Sequence, residues 1–209
     1  MITLTKLKIA PFTILFGTSL LIILVIIISN YFFFKSIPNN NFKINNSILK
    51  NGDLVLRCGR STESYAVYLA DNNTEFTHIG IISIENHIPY VIHAVPWKIN
   101  TVKKEPLNYF INHKVASTYA IYRTNYKSTI LKNVVNQANL FYQKKYTFDN
   151  NYDLTTNTKL YCTELILKAF RNAGINLNLN TKSINYVVGK HNLIFPSEFT
   201  KSPLFKKII

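Results

Sequence analysis

The chain has 209 residues, 47% of them hydrophobic, with only six glycines and seven prolines, which excludes a disordered or collagen-like polypeptide. Two cysteines exclude a disulfide-rich scaffold and a zinc site built on four thiolates. The formal charge of +14 raises nucleic acid as a partner, but the basic residues are dispersed, with no run longer than pairs such as Lys103-Lys104, so no nucleic-acid partner is expected.

In chain order, residues 1–8 read as a short tail and residues 9–34 as a transmembrane helix. No charge lies between Lys8 and Lys35, and Ile14–Phe34 is long enough to cross a hydrocarbon core of ~30 Å. The run exceeds a signal peptide's apolar region, and Asn30–Lys35 is bulky where cleavage needs small residues. An uncleaved single-pass membrane anchor follows, with the domain on the exported (periplasmic or extracellular) side as the simpler topology. Lysines flank both ends, so the positive-inside rule discriminates little. Residues 35–48, polar and Asn-rich, read as a linker, and residues 49–209 as one globular domain.

Within that domain, residues 53–57 form a short strand after an Asn51-Gly52 turn, and residues 61–70 a helix opened by a Ser61 cap. Two strands, 77–84 and 89–95, are joined by the turn Glu85-Asn86-His87 into an antiparallel hairpin. A third strand follows at 115–123 and a helix at 128–141. The clearest element is a helix over 161–174, where Cys162, Leu165, Ile166, Ala169, Phe170 and Ala173 form one apolar stripe that ends at Gly174.

Cys162 falls in the first turn of that helix, where free backbone N–H groups and the positive dipole end favour a thiolate. Its bland alternative is a small buried core cysteine. His78 and His93 decide between them. A two-residue loop at Glu85-Asn86 would set the two histidines directly opposite each other on one sheet face, and any even shift of register keeps them on that face. Two such histidines beneath a helix-start cysteine have the layout of a Cys-His-polar hydrolase: one imidazole takes the thiol proton and the other orients it. A Cys-His-His metal site is the weaker reading, because no fourth ligand accompanies it, and no metal or cofactor is expected. Cys58 reads as an incidental buried thiol or a redox latch for Cys162, and Arg57 and Arg60 beside it can attract an anionic substrate. His87, His113 and His191 are given no role.

The segments Asn51–Leu56, Phe76–Ile81 (FTHIGI), Val91–Ala94 (VIHA), Tyr161–Leu165 (YCTEL) and Phe195–Phe205 together resemble the permuted papain-like amidases of the YaeF/YiiX type, within the wider NlpC-like group of cysteine hydrolases. The resemblance covers residues 48 to 209, with the histidines before the cysteine, the reverse of the ordinary papain-like order. It implies an α+β, circularly permuted papain-like domain whose antiparallel sheet packs on the helix bearing the cysteine. Position by position it implies Cys162 as nucleophile, His78 as general base and His93 as the third polar residue, where several relatives carry Glu. Tyr161 and Tyr146, with Asp149 and Asp153, match the approach to the family's cleft. The expectation is a membrane-anchored hydrolase of amide bonds in a peptide or cell-wall-like substrate. A lipid acyl hydrolase or acyltransferase using the same site, and a non-catalytic membrane-tethered binding module, are the alternatives.

Overall fold

Residues 21–29, 44–96, 99–186 and 189–209 are described by the computed structural model. Residues 21–29 form a helix (α1) in a separate N-terminal unit. At 1.5 Å per residue this stretch rises about 13 Å, under half of a ~30 Å hydrocarbon core. Among the described residues no helix is long and apolar enough to cross a membrane. That finding corrects the transmembrane helix expected over 9–34, whose other residues lie outside the described ones. An uncharged apolar run measures what a segment can bury, and it does not fix how far the segment stays helical.

The residues from 44 onward belong to a second compact unit. The last of the expected linker already belongs to it, since Ile44 packs on its core and Asn45 accepts the Ser47 N–H to cap a 3-10 turn at Asn46–Ile48. Strand β1 (Leu54–Gly59) follows, then helix α2 (Thr62–Ala70), capped by the Ser61 hydroxyl that accepts the Ser64 N–H. Strands β2 (His78–Glu85) and β3 (Ile88–Val95) form the expected hairpin. Strand β4 (Thr101–Pro106) and the short helix α3 (Leu107–Phe110) follow, neither marked by a local periodicity. Strand β5 (Ala116–Thr124), helix α4 (Ser128–Gln143), the short strands β6 (Thr147–Phe148) and β7 (Lys159–Leu160), and helix α5 (Cys162–Asn172) come next. A second hairpin of β8 (Lys182–Tyr186) and β9 (Gly189–Leu193), helix α6 (Pro196–Lys201) and β10 (Phe205–Lys207) complete the chain.

Six strands make one sheet in the order β10-β5-β1-β2-β3-β4, with every neighbouring pair antiparallel. Side chains alternate between its faces. Leu54, Leu56, Ile79, Ile81, Ile92 and Ala94 form a core with the apolar stripes of α4 and α5, through Val134, Ala138, Leu165, Ile166, Ala169 and Phe170. Val55, Ile82, Val91 and Ile121 face the other way, where Leu49, Leu107, Phe110 and Ile111 cover them. The α+β core, with its antiparallel sheet on the cysteine helix, therefore fits a papain-like fold. Asp53 ties β1 to β5: its buried carboxylate accepts from Arg123 Nε at 2.7 Å and Nη2 at 2.6 Å, a partly buried bidentate pair.

Candidate active site

The hairpin register differs from the expected one by two residues. The turn is Asn86-His87, with φ of +49° and +64° as a two-residue hairpin loop with both central residues left-handed requires, and Glu85 pairs with Ile88. Extended from the Ile81–Ile92 pair, this register sets His93 opposite Gly80, with His78 two residues further along the same face. The even shift keeps both histidines together, as diagonal neighbours instead of direct partners. Gly80 makes room for them, since a Cβ there would lie 2.4 Å from Val91 Cγ1 and 3.2 Å from the Cβ of His93.

The two rings meet edge to face, with His78 Nε2 2.8 Å from His93 Nδ1. The other nitrogen of His93, Nε2, lies 3.0 Å from Glu105 Oε1 on β4, and Lys103 donates to the second oxygen of that carboxylate. Phe110 closes the cluster from α3. Its ring stacks on His78 at 5.7 Å, meets His93 edge-on at 4.9 Å and carries the Arg57 guanidinium at 4.2 Å, while its carbonyl accepts from Arg57 Nη1 at 2.7 Å. Arg57 Nε is buried without a hydrogen-bond partner.

Cys162 opens α5. Glu164, in the same first turn, accepts the Tyr161 N–H at 3.2 Å and pairs with Lys168 at 2.7 Å, which fixes the helix start. By strand alternation the apolar stripe of α5 packs on the Ile79 and Ile81 face of the sheet, the face opposite His78 and His93. The cysteine comes to the end of the sheet where β2 begins, its sulfur stabilised there by the Ile79 N–H.

The electrostatics also depart from expectation. Burial pushes the Cys162 thiol up to about 11, outweighing the N–H groups of Ile79, Thr163 and Cys162 itself and the positive charge of Arg57. The resting group is a thiol, because the low-dielectric wall penalises the anion more than the helix start favours it. Burial, then the charges of Arg57 and His93, hold His78 well below the usual imidazole range. Burial likewise lowers His93 to about 4, against the hydrogen bond it donates to Glu105. Burial favours the neutral form of Glu105, yet its bonds to His93 and Lys103 bring it down to about 2. Arg57 falls to about 10 by burial and stays charged at neutral pH. The site at pH 7 is therefore a neutral thiol and two neutral imidazoles between a partly buried cation and a partly buried anion.

These shifts have a consequence for stability. The unfolded chain protonates its histidines near 6.5, whereas His78 and His93 resist protonation when folded, so the unfolded state binds more protons as pH falls. Stability is expected to drop between about pH 6.5 and 4, with the urea midpoint falling over that window. The drop should shrink in a chain with both histidines replaced by Gln; an unchanged drop would show that the two rings titrate normally.

Of the residues singled out from sequence, the structure brings Arg57, His78 and His93 into one cluster and lets Arg57 and Cys162 act on each other electrostatically. The two tyrosines have aromatic partners of their own. Tyr161 is only 3% exposed, its hydroxyl accepting the Ile194 N–H at 3.2 Å, so it holds the core together and does not face a cleft. Tyr146 stacks near Phe141 at 5.2 Å and lines a depression of about 300 Å³ with Lys168, Arg171 and Asn172, beside the far turns of α5. Asp149 accepts the N–H groups of Asn151 and Asp153 and shapes its own loop. Cys58 and Cys162 are both free. Glu105 and Phe110 are the cluster members the sequence reading missed. Glu105 sits in the charged run TVKKEP, which carries no hydrophobic alternation to mark a strand, and Phe110 in a four-residue helix.

Fold and site together have the papain-like layout, with histidine ahead of cysteine in the chain. The model of the permuted papain-like amidase enzymes (YaeF/YiiX, C92 family) matches residues 48–209, and the chain belongs to that family. It is similar to the uncharacterized protein YiiX of Escherichia coli (strain K12), 29% identical over 124 residues, a match covering 58% of this chain and 57% of that protein. The chain thus spans little more than half the length of the curated relative it matches. The fold is shared with a crystal structure described as the metalloprotein YiiX from Escherichia coli O157:H7, at a TM-score of 0.64 and 20% identity, over 77% of this chain and 96% of that one. In the present chain the imidazole nitrogens do not converge on an ion: two are taken up by each other and a third by Glu105. Among the described residues no group of three or more His, Cys, Asp or Glu side chains could hold a metal.

Proposed function

We propose that the protein hydrolyses amide bonds of a peptide or cell-wall-like substrate, with Cys162 as nucleophile, His78 as general base and His93 as the residue that orients it. The observation that carries this reading is the buried His78–His93 hydrogen bond beside the start of the cysteine helix. Because His78 binds its neighbour through Nε2, its Nδ1 is the nitrogen left for the thiol. Sγ attacks the carbonyl carbon as its proton passes to Nδ1; the imidazolium then protonates the departing amine, leaving a thioester. Water, deprotonated by the same nitrogen, releases the carboxylic acid and the thiol. The N–H of Cys162 at its helix start is the natural donor to the developing oxyanion.

With a neutral thiol at rest, the base must act during the attack. Reaction with small alkylating agents is accordingly expected to be slow, and reaction with substrate-like electrophiles that engage the cluster fast. The test is mass-spectrometric mapping of an acyl-fluoromethyl ketone probe on the intact chain. Modification at Cys162 and not Cys58 supports the reading; modification at Cys58 alone sinks it. Turnover of γ-glutamyl and muropeptide amides against lipid esters then separates the amidase from the lipid acyl hydrolase.

A further inference from the structure

Every relay of hydrogen bonds between rings has two possible directions, and here its end fixes which one holds. Glu105 is a carboxylate between two donors, Lys103 on one oxygen and His93 Nε2 on the other. A carboxylate only accepts, so His93 must carry its proton on Nε2. Its Nδ1 is then a bare lone pair and accepts from His78 Nε2, which therefore bears the proton of that ring. One nitrogen remains, His78 Nδ1, and it is unprotonated.

Resting on the cysteine–histidine reading above, we propose that Glu105 is a positioning residue for catalysis: acting through His93, it sets the tautomer of His78 and balances the positive charge that forms there. No atom of Glu105 need touch the substrate. When the thiol proton reaches Nδ1, His78 becomes a cation beside the permanent charge of Arg57, and the Glu105 anion two hydrogen bonds away offsets that repulsion. His93 offers His78 no carboxylate of its own, and the neighbouring strand supplies one through Glu105. His93, 2% exposed, and Glu105, 13% exposed on its side chain, are enclosed enough for this charge to be felt.

Glu105→Gln tests the direction of the relay at nearly constant shape. Lys103 can only donate, so it takes the amide oxygen and turns the NH2 group toward His93. That donor forces the proton of His93 onto Nδ1 and the proton of His78 onto its own Nδ1, where it blocks the thiol. The assay is the rate of Cys162 modification by the acyl-fluoromethyl ketone probe from pH 4 to 10, in a Cys58→Ser chain so that one thiol reports. The Gln variant is expected to lose at least tenfold of the neutral-pH rate, with its acid limb displaced to lower pH because the lost anion no longer holds protons on the relay. Adding Lys103→Ala, which frees the amide to present its oxygen to His93, is expected to restore part of the rate.

A merely structural role for Glu105 would scale the rate without moving the limb, and Lys103→Ala would rescue nothing. If Glu105→Gln leaves rate and limb unchanged while His78→Ala removes the reactivity, the relay inference is overturned and the cysteine–histidine pair stands. If His78→Ala changes nothing either, the pair itself fails. Thermal melts of each chain check the fold. Where the Gln variant is unfolded at assay temperature, Glu105→Ala with and without added formate takes its place: restoration by formate is expected, and its absence overturns the proposal.

Discussion

Alanine at Cys162 or at His78 is expected to lower amide turnover by about four to six orders of magnitude, with the double variant no worse than either single one. The size of the effect follows from the two residues working as one unit. Without His78, the thiol that burial holds at about 11 has nowhere to send its proton, and a neutral thiol is a poor nucleophile. Without Cys162, the base has nothing to activate except water. Each loss therefore removes the same step, and removing it twice costs nothing more. What remains in all three variants is the acceleration from substrate positioning and backbone oxyanion donors. The measurement is kcat and KM for the single and double variants on one amide substrate, with a fold check by circular dichroism. Additive losses would mean that Cys162 and His78 act independently, and the assignment would have to be abandoned. The pH profile of the wild-type chain adds a signed prediction. Activity needs His78 unprotonated, and that ring is held well below its ordinary value, so the acid limb should lie below pH 6.5 with a plateau through neutrality.

The second large effect is on stability. Phe170→Ala is expected to cost about 3–5 kcal/mol, the range found when a buried aromatic is cut back to a methyl and its cavity fails to collapse. Phe170 is fully buried on α5, where its ring lies 6.3 Å from Tyr126 and 6.0 Å, edge-on, from Phe205 of the last strand. It thereby joins the cysteine helix to the C-terminal strand at the sheet edge. Those aromatic neighbours are held by other contacts, Phe205 by Phe199 among them, and cannot close into the void. For a domain whose whole stability is about 5–15 kcal/mol this is a large fraction. The test is a urea titration: a lower midpoint at unchanged slope is expected, while Arg171→Ala on the exposed side of the same helix should stay within about 0.5 kcal/mol. A Phe170→Ala midpoint as high as that of Arg171→Ala would show that α5 is not anchored through this ring.

The elements legible in the sequence are those with a strong local signature. The stripe from Cys162 to Phe170 repeats at helical spacing, so both the helix and the place of its cysteine follow from the order of residues. The hairpin follows from two β-branched runs around a polar turn, and the shared face of His78 and His93 follows from the period of two, which an even slip leaves intact. The ordered motifs around these residues carry the family as well. The register itself was not legible, because Glu85-Asn86 and Asn86-His87 are both polar enough to turn; packing decided for the latter, with Gly80 opposite His93. Nor does local sequence weigh a helix dipole against burial, and at Cys162 burial prevails.

By itself, then, the sequence determined the periodic elements, the presence of one cysteine at a helix start and two histidines on one sheet face, and the family these belong to. It did so because each depends on neighbours three or four residues away, or on a strict alternation. Tertiary structure alone decided the surroundings that give those residues their chemistry. The charged strand bearing Glu105 and the short helix bearing Phe110 are drawn to the histidines across the sheet. Tyr161 is turned into the core, and the apolar N-terminal run shows no described helix long enough to cross a bilayer. The reason is the same in each case. Burial, proton direction and charge balance are properties of groups brought together from distant points in the chain, and no local window of sequence contains them.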